Sequence, residues 1–311
     1  MLIGILAGLA TGALWGLTFI APRMVDPFAT IDLVVARYLA FGVMSALLMI
    51  NPRFRPGKLS RSRLVTGLVL GTVGYVGYFL TTAYAVRFAG AVLPPLIIGT
   101  MPVLLALIAN WRERAVPWRA LLAPLGLIAA GLVVVNAHAF SDAVPAARND
   151  TVVGVLLSVL ALAIWVGYGL VNAQVMRAPD APDALRWTGL QGIGAAAGSL
   201  ALLAISGLPL VPEATPHEIW RFVGWALGMA VVGTWFATWC WVIASKRLPL
   251  ALAAQLIIAE TVFGLGYGLA FEQRWPTNAE ATGILLQLAG VIVAVAIFTR
   301  RRVLTPAAGN P

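Results

Sequence analysis

Residues 64–86 read LVTGLVLGTVGYVGYFLTTAYAV, an unbroken run of apolar, small and hydroxyl side chains bounded by Arg63 and Arg87. As an α-helix, about 20 such residues cross about 30 Å of hydrocarbon. The run returns later in the chain. Residues 220–243 read WRFVGWALGMAVVGTWFATWCWVI, so that Leu70, Gly71, Phe79 and Tyr84 come back as Leu227, Gly228, Phe236 and Trp241 at the same internal spacing. Other positions return in the same order. Trp15 matches Trp165, the triplet Leu96, Ile97, Ile98 matches Leu256, Ile257, Ile258, and Glu113, Pro117, Gly131 match Glu272, Pro276, Gly290. A recurrence that keeps Trp, Gly, Pro and Glu in register points to an internal duplication.

Working outward, apolar stretches of spanning length fall near 3–22, 31–50, 64–86, 89–109, 119–138, 152–174, 185–206, 220–243, 249–270 and 279–299. With 60% hydrophobic and 11% charged residues, 311 residues cannot hide their apolar side chains in one water-soluble core. The segments lack period-two alternation and are about twice the length of a barrel strand, which argues against an outer-membrane barrel. The expected fold class is an all-α integral membrane protein with ten transmembrane helices. Five spans per unit is an odd number, so the second unit enters the membrane from the opposite face. Two inverted five-helix repeats then surround a central cavity, the arrangement that permits alternating access. Residues 1–138 form the first repeat, 139–151 an outer linker, 152–302 the second repeat and 303–311 a cytoplasmic tail. Span one begins almost at Met1 without a basic leader region and reads as a retained helix.

The net charge of +9 suggests nucleic acid until its distribution is followed. Arg53, Arg55, Lys58, Arg61 and Arg63 follow span two; Arg112, Arg114 and Arg119 follow span four; Arg177 and Arg186 follow span six; Lys246, Arg247 and Arg300 to Arg302 follow spans eight and ten. All fall on one face of the membrane, and the acids gather on the other. By the positive-inside rule both termini are cytoplasmic. Cys240 is the sole cysteine, so no disulfide or cysteine-based metal site forms within one chain. His138 and His217 stand apart near outer span ends and read as surface residues; no metal and no cofactor is expected.

Glu260 is the sharpest position. An ionised side chain inside a span costs about 2.5–3.5 kcal/mol on insertion scales, so it faces a partner or a watery cavity. It reads either as a counter-ion or proton-titrating group on a pathway, or as a structural ion pair with Arg37. Arg37 in turn either receives a substrate carboxylate or snorkels outward. The repeat pairs Trp15 with Trp165, Tyr78 with Trp235 and Thr100 with Glu260, while Tyr168 and Asn172 extend the Trp165 face. Gly71, Gly74, Tyr78 and Thr81 share one helical face, as do Gly228, Val231, Trp235 and Thr238. Both faces look onto the same axis, which gives an aromatic, weakly polar cavity with one acid; the glycines also suit plain packing. Pro94, Pro95 and Pro102 loosen span four, and Gly264, Gly266 and Gly268 loosen span nine, where Pro249 stands at the start; these are the candidate gating elements. Gly8, Gly12 and Gly16 could seat a neighbouring helix, including that of a second copy, so monomer and homodimer both stay open.

Two five-helix units, a Trp in the first helix of each, Arg37 early in span two, and Glu113 and Glu272 each followed by a Gly-rich closing helix resemble the EamA branch of the drug/metabolite transporter superfamily along the whole chain. One departure is Pro124, where the second unit has Gly283. Length and aromatic content are more similar to the bacterial aromatic amino-acid exporters than to the triose-phosphate or nucleotide-sugar branches. The resemblance implies a transporter and not an enzyme, and export as its direction. The residues agree on chemistry: an aromatic cavity with one acid and one Arg suits an aromatic or large neutral amino acid, whereas phosphorylated solutes require several buried cations. Lipophilic cationic drugs, or another metabolite, are the alternative. An intramembrane enzyme acting on lipid intermediates would need paired acid and base groups, which the connectors lack. The expected partners are a small-molecule substrate and membrane lipid, with no nucleic acid.

Overall fold

The structure is a computed structural model that describes residues 2–57, 59–113, 117–142, 145–176, 178–206, 213–247 and 258–304. Lys58, Arg114, Arg177, Pro249, Leu256 and Ile257 lie outside the described residues, as does the tail from residue 305. Every regular element among the described residues is helical. In chain order these are α1 (Leu2–Gly16), α2 (Thr30–Leu48), α3 (Arg61–Ala89), α4 (Leu93–Ile98), α5 (Met101–Glu113), α6 (Trp118–Asp142), α7 (Pro145–Met176), α8 (Ala184–Ser206), α9 (Pro216–Ala244), α10 (Ile258–Phe271) and α11 (Asn278–Leu304). Among the described residues, seven segments are long and apolar enough to cross a membrane: Leu2–Arg23, Thr30–Leu48, Arg61–Ala89, Trp118–Val135, Arg148–Met176, Ala184–Ser206 and Pro216–Ala244. Leu93–Leu105 and Asn278–Ala294 are shorter apolar helices. The connector expected over 139–151 is helical on both sides of residues 143–144, which are not described.

Large apolar side chains point outward along the bundle, among them Leu122, Leu156, Ile205 and Leu285. Acyl chains are the solvent that suits such a surface. Inside, hydroxyls are satisfied within their own helices. Ser45 donates to the Phe41 carbonyl at 2.8 Å, Thr82 to Tyr78 at 2.8 Å and Ser158 to Gly154 at 2.8 Å.

Helix pairing follows the small residues. Gly12 and Gly16 of α1 meet the backbone of α10 at Ala259, Glu260 and Gly264, so two of the three glycines considered for a homodimer are occupied within the chain. In α2 against α8, Gly42 meets Ala196, Ser45 meets Gly192 and Met49 meets Gly189; rising numbers meet falling ones, and the helices are antiparallel. The same holds for α6 against α11, where Pro124 and Ile128 meet Gly290 while Val135 meets Gly283, and for α4 against α10, where Ala91 meets Gly268 and Gly99 meets Thr261. Further packed pairs are α1 with α9 and α10, α7 with α3 and α4, α2 with α9, and α3 with α8. Exchanging α1 for α7, α2 for α8, α3 for α9, α4 for α10 and α6 for α11 maps this set of pairs onto itself.

Two local irregularities shape the interior. Between α4 and α5 the helix breaks at Gly99 and Thr100. Pro102 has no amide to offer the Ile98 carbonyl, and the Thr100 amide turns to Ile97 at 3.2 Å. That leaves the Leu96 carbonyl free, and the buried Gln287 of α11 donates its side-chain amide to it. Pro94 and Pro95 stand in the first turn of α4, where an amide is not needed, so the bend comes from the end of this short helix and not from its start. The second irregularity is a π-helical stretch in each of α3 and α9, Leu70–Gly77 and Val231–Phe236. These lie in the two sequence stretches that echo one another.

Candidate functional site

The widened turns set which side chains reach the axis. In a regular helix Gly228, Val231, Trp235 and Thr238 share a face, but the π-helical turn adds a residue and rotates the later part of the helix. Thr238 stays on the axis, and Gly233, Thr234 and Trp241 join it in place of Gly228, Val231 and Trp235. Trp235 packs on Phe41, with ring centroids 5.7 Å apart, and is absent from the cavity lining; it is the first correction to the expected site. Thr234 donates its hydroxyl to the Met229 carbonyl five residues back, at 3.0 Å. Thr100 is the second correction. It is buried and spends its hydroxyl on the Ile97 carbonyl at 2.7 Å, holding the α4–α5 break and not lining the cavity.

The remaining expected residues converge. Trp15, Arg37, Tyr78, Trp165, Tyr168, Asn172 and Glu260 line one cavity of about 590 Å³, together with residues the sequence did not single out, chiefly Tyr38, Tyr75, Trp187, Gln191, Thr234 and Trp241. Its aromatic wall is continuous. Tyr78 stacks on Trp165 at 4.7 Å, Trp165 on Tyr168 at 4.8 Å with planes 6° apart, and Tyr168 meets Tyr75 edge-on at 5.6 Å. Trp15 and Trp241 face each other at 5.9 Å. Gly74 makes room for this wall, because a side chain there would strike the Tyr168 ring.

Polar atoms along the wall bond to one another. The Tyr168 hydroxyl donates to Gln191 Oε1 at 3.0 Å, and Gln191 Nε2 donates to Asn172 Oδ1 at 3.2 Å. The same oxygen accepts from Trp187 Nε1 at 2.8 Å. Gln191 and Trp187 had a legible signal: a lone amide and an indole inside an otherwise aliphatic span. Replacing Asn172 with Leu removes the acceptor for two buried donors, and is expected to destabilise the protein by about 1–3 kcal/mol. Thermal unfolding in detergent checks this; an unchanged midpoint contradicts the network.

At the deep end stand two charged side chains. Arg37 is buried and does not snorkel; its guanidinium lies 4.2 Å from the Phe79 ring centre and 5.0 Å from that of Tyr38. Glu260 is in the first turn of α10, and no ion pair joins it to Arg37 among the described residues. From this end the cavity runs past Asn172 and Ala173 to Met176, the last residue of α7, and to Ala184, the first of α8. The same end carries Arg63 paired with Asp180, and Arg186 donating to the Arg53 carbonyl at 2.8 Å. At the other end Phe28 stacks on Phe222 at 4.4 Å, and Arg221 donates to the Asp26 carbonyl. There too, Arg274 grips Glu280 at 2.5 and 2.7 Å and Glu272 at 2.8 Å. His138, expected at the surface, lines a separate cavity of about 180 Å³ beside these acids.

Of the expected gating glycines, Gly264 is pressed against the Phe19 ring and against Gly16, while Gly266 has open space around it.

Residues 152–296 match the EamA-like transporter family. The chain is 29% identical over 313 residues to the inner membrane protein YtfF of Escherichia coli (strain K12), an alignment covering 95% of each chain. A solved crystal structure, 22% identical, superposes with a TM-score of 0.60 over 96% of this chain and 99% of the other, and has the same fold.

Proposed function

We propose that this chain, which is similar to the EamA-like transporter family over residues 152–296 and to an inner membrane protein along 95% of its length, is a transporter and not an enzyme, and that it exports small amphipathic metabolites, aromatic or large neutral amino acids foremost, by alternating access. The observation that carries this reading is the cavity itself. A wall of stacked Tyr78, Trp165 and Tyr168 fits a planar or bulky apolar group, and Arg37 and Glu260 at its deep end fit a solute bearing both charges. A lipophilic cation would find the rings and Glu260 but would share the chamber with a buried guanidinium.

The two halves are inverted five-helix repeats in this reading. The antiparallel α2–α8, α4–α10 and α6–α11 pairs support it, because mates related by an in-plane twofold must run in opposite directions. The Arg-rich end is cytoplasmic and both termini lie there, on the positive-inside rule. The cavity lining reaches Met176 and Ala184 at that end, while Phe28 stacks on Phe222 at the other, an arrangement that would load an exporter from the cytoplasm.

The direct test is flux of radiolabelled phenylalanine, tryptophan and threonine into proteoliposomes, with and without an imposed pH gradient. Saturable aromatic flux is expected; silence in a folded preparation overturns the reading. Orientation has its own test, aided by the burial of the sole cysteine, Cys240. In right-side-out spheroplasts an impermeant maleimide is expected to modify Trp275→Cys, at a position 91% exposed, and to spare Arg53→Cys until the membrane is opened. The reverse pattern inverts the topology.

A further inference from the structure

Among the described residues the charge at Arg37 has no counterpart. The side chain is 5% exposed. Its Nη2 reaches Thr234 Oγ1 at a long 3.4 Å, while Nε and Nη1 are buried without a hydrogen-bond partner. Phe79 and Tyr38 sit against the guanidinium and contribute cation–π attraction, yet rings accept none of its in-plane N–H groups. A buried cation with free donors is costly unless an anion meets it. Glu260 lines the same cavity but forms no ion pair with it among the described residues, and Thr234, Tyr38 and Tyr75 are neutral.

We infer that Arg37, whose Nε and Nη1 have no hydrogen-bond partner, is the anion subsite of the cavity and takes the carboxylate of the transported solute. A guanidinium presents pairs of parallel N–H donors, which match the two oxygens of a carboxylate. A single guanidinium surrounded by neutral groups suits one carboxylate; a phosphate dianion would call for further cations. The ring ladder fixes where the rest of the solute goes. Tyr38 meets Tyr75 at 6.1 Å and Tyr75 meets Tyr168 at 5.6 Å, so an apolar group carried next to that carboxylate comes to rest on the Tyr75, Tyr168 and Trp165 wall. Glu260 is left for the ammonium of a zwitterion. This inference rests on the reading of the cavity as the solute site.

The test uses the native protein in detergent, monitored by thermal stabilisation and intrinsic fluorescence, with four probes of equal ring: phenylalanine, 3-phenylpropionate, phenethylamine and phenylalaninamide. The two carboxylates are expected to bind at least about thirtyfold more tightly than the two compounds lacking one, the scale of a buried charge pair left unmatched. Arg37→Gln should erase the difference and Arg37→Lys restore part of it. If phenylalanine and phenethylamine bind within about threefold of each other, the Arg37 assignment falls while the aromatic cavity stands. If 3-phenylpropionate binds and phenylalanine does not, the subsite stands and the amino-acid reading falls. Binding by none of the four overturns both. Should the Arg37 variants fail to fold, the native probe series still decides.

Discussion

Glu260→Gln is expected to lower saturable phenylalanine flux by about tenfold or more while the purified chain keeps its helicity and its thermal midpoint. The two halves of that expectation have different causes. Stability holds because Glu260 makes no hydrogen bond or ion pair with the described residues, so an amide of the same shape abandons no partner. Its backbone is fixed from elsewhere, by Gly12 lying against Ala259 and the Glu260 amide. Flux falls because the carboxylate is the acid among the described residues that line the cavity. It borders both the large chamber and a void of about 20 Å³ enclosed by Phe19, Ile98, Gly99, Met101, Trp165 and Thr261. On the proposed export route, a solute leaving the chamber passes between these groups. Losing a charge-assisted contact to a desolvated ammonium is worth about 1.5–3 kcal/mol, or roughly one to two factors of ten in affinity. Flux unchanged across pH would remove Glu260 from the pathway, and a midpoint lowered by several degrees would make it a structural group.

How much of this is legible in the sequence depends on the length over which a signal adds up. Spanning helices are specified by about 20 residues acting together, and most stretches read from hydropathy coincide with the described helices within a few residues, although α7 is longer at its start, span four is broken into α4 and α5, and the start of span nine lies outside the described residues. The cavity side chains on α1, α2 and α7 are readable because those helices are regular where Trp15, Arg37, Trp165, Tyr168 and Asn172 sit. Where one backbone turn departs from 3.6 residues, projection fails. Counting along α9 puts Trp235 on the axis, but the π-helical turn beginning at Val231 carries it to Phe41 and brings Thr234 inward. Thr100 fails for a related reason: at the break beside Pro102 both its amide and its hydroxyl turn to the Ile97 carbonyl, which holds the side chain away from the cavity. Gln287 shows the same limit from the other side. Its partner, the Leu96 carbonyl, is freed by a break in a helix 191 residues away in sequence, which no local pattern reports.

Gly131→Leu is expected to destabilise the protein by about 3 kcal/mol or more, whereas Gly126→Leu, five residues earlier on the same helix, changes it by less than about 0.5 kcal/mol. Both positions are glycines of α6, and helix propensity alone favours leucine at each. Packing separates them. A Cβ at Gly126 meets nothing within 4 Å, while one at Gly131 would lie 2.6 Å from the Gly283 carbonyl oxygen and 2.9 Å from the Gln287 amide of α11. Both obstacles are backbone, so relief requires the two helices to part, and the dispersion contacts along the seam fall off steeply with the gap. Parting also withdraws Gln287 from the Leu96 carbonyl at the α4–α5 break, so the cost includes a buried hydrogen bond worth about 1 kcal/mol. Thermal unfolding of the two variants side by side, in one detergent, separates packing from propensity. Equal midpoints would mean that α6 and α11 do not approach this closely. A large drop confined to Gly131→Leu, with phenylalanine binding retained by the molecules still folded, would mark the α6–α11 seam as scaffold that holds the cavity without taking part in it.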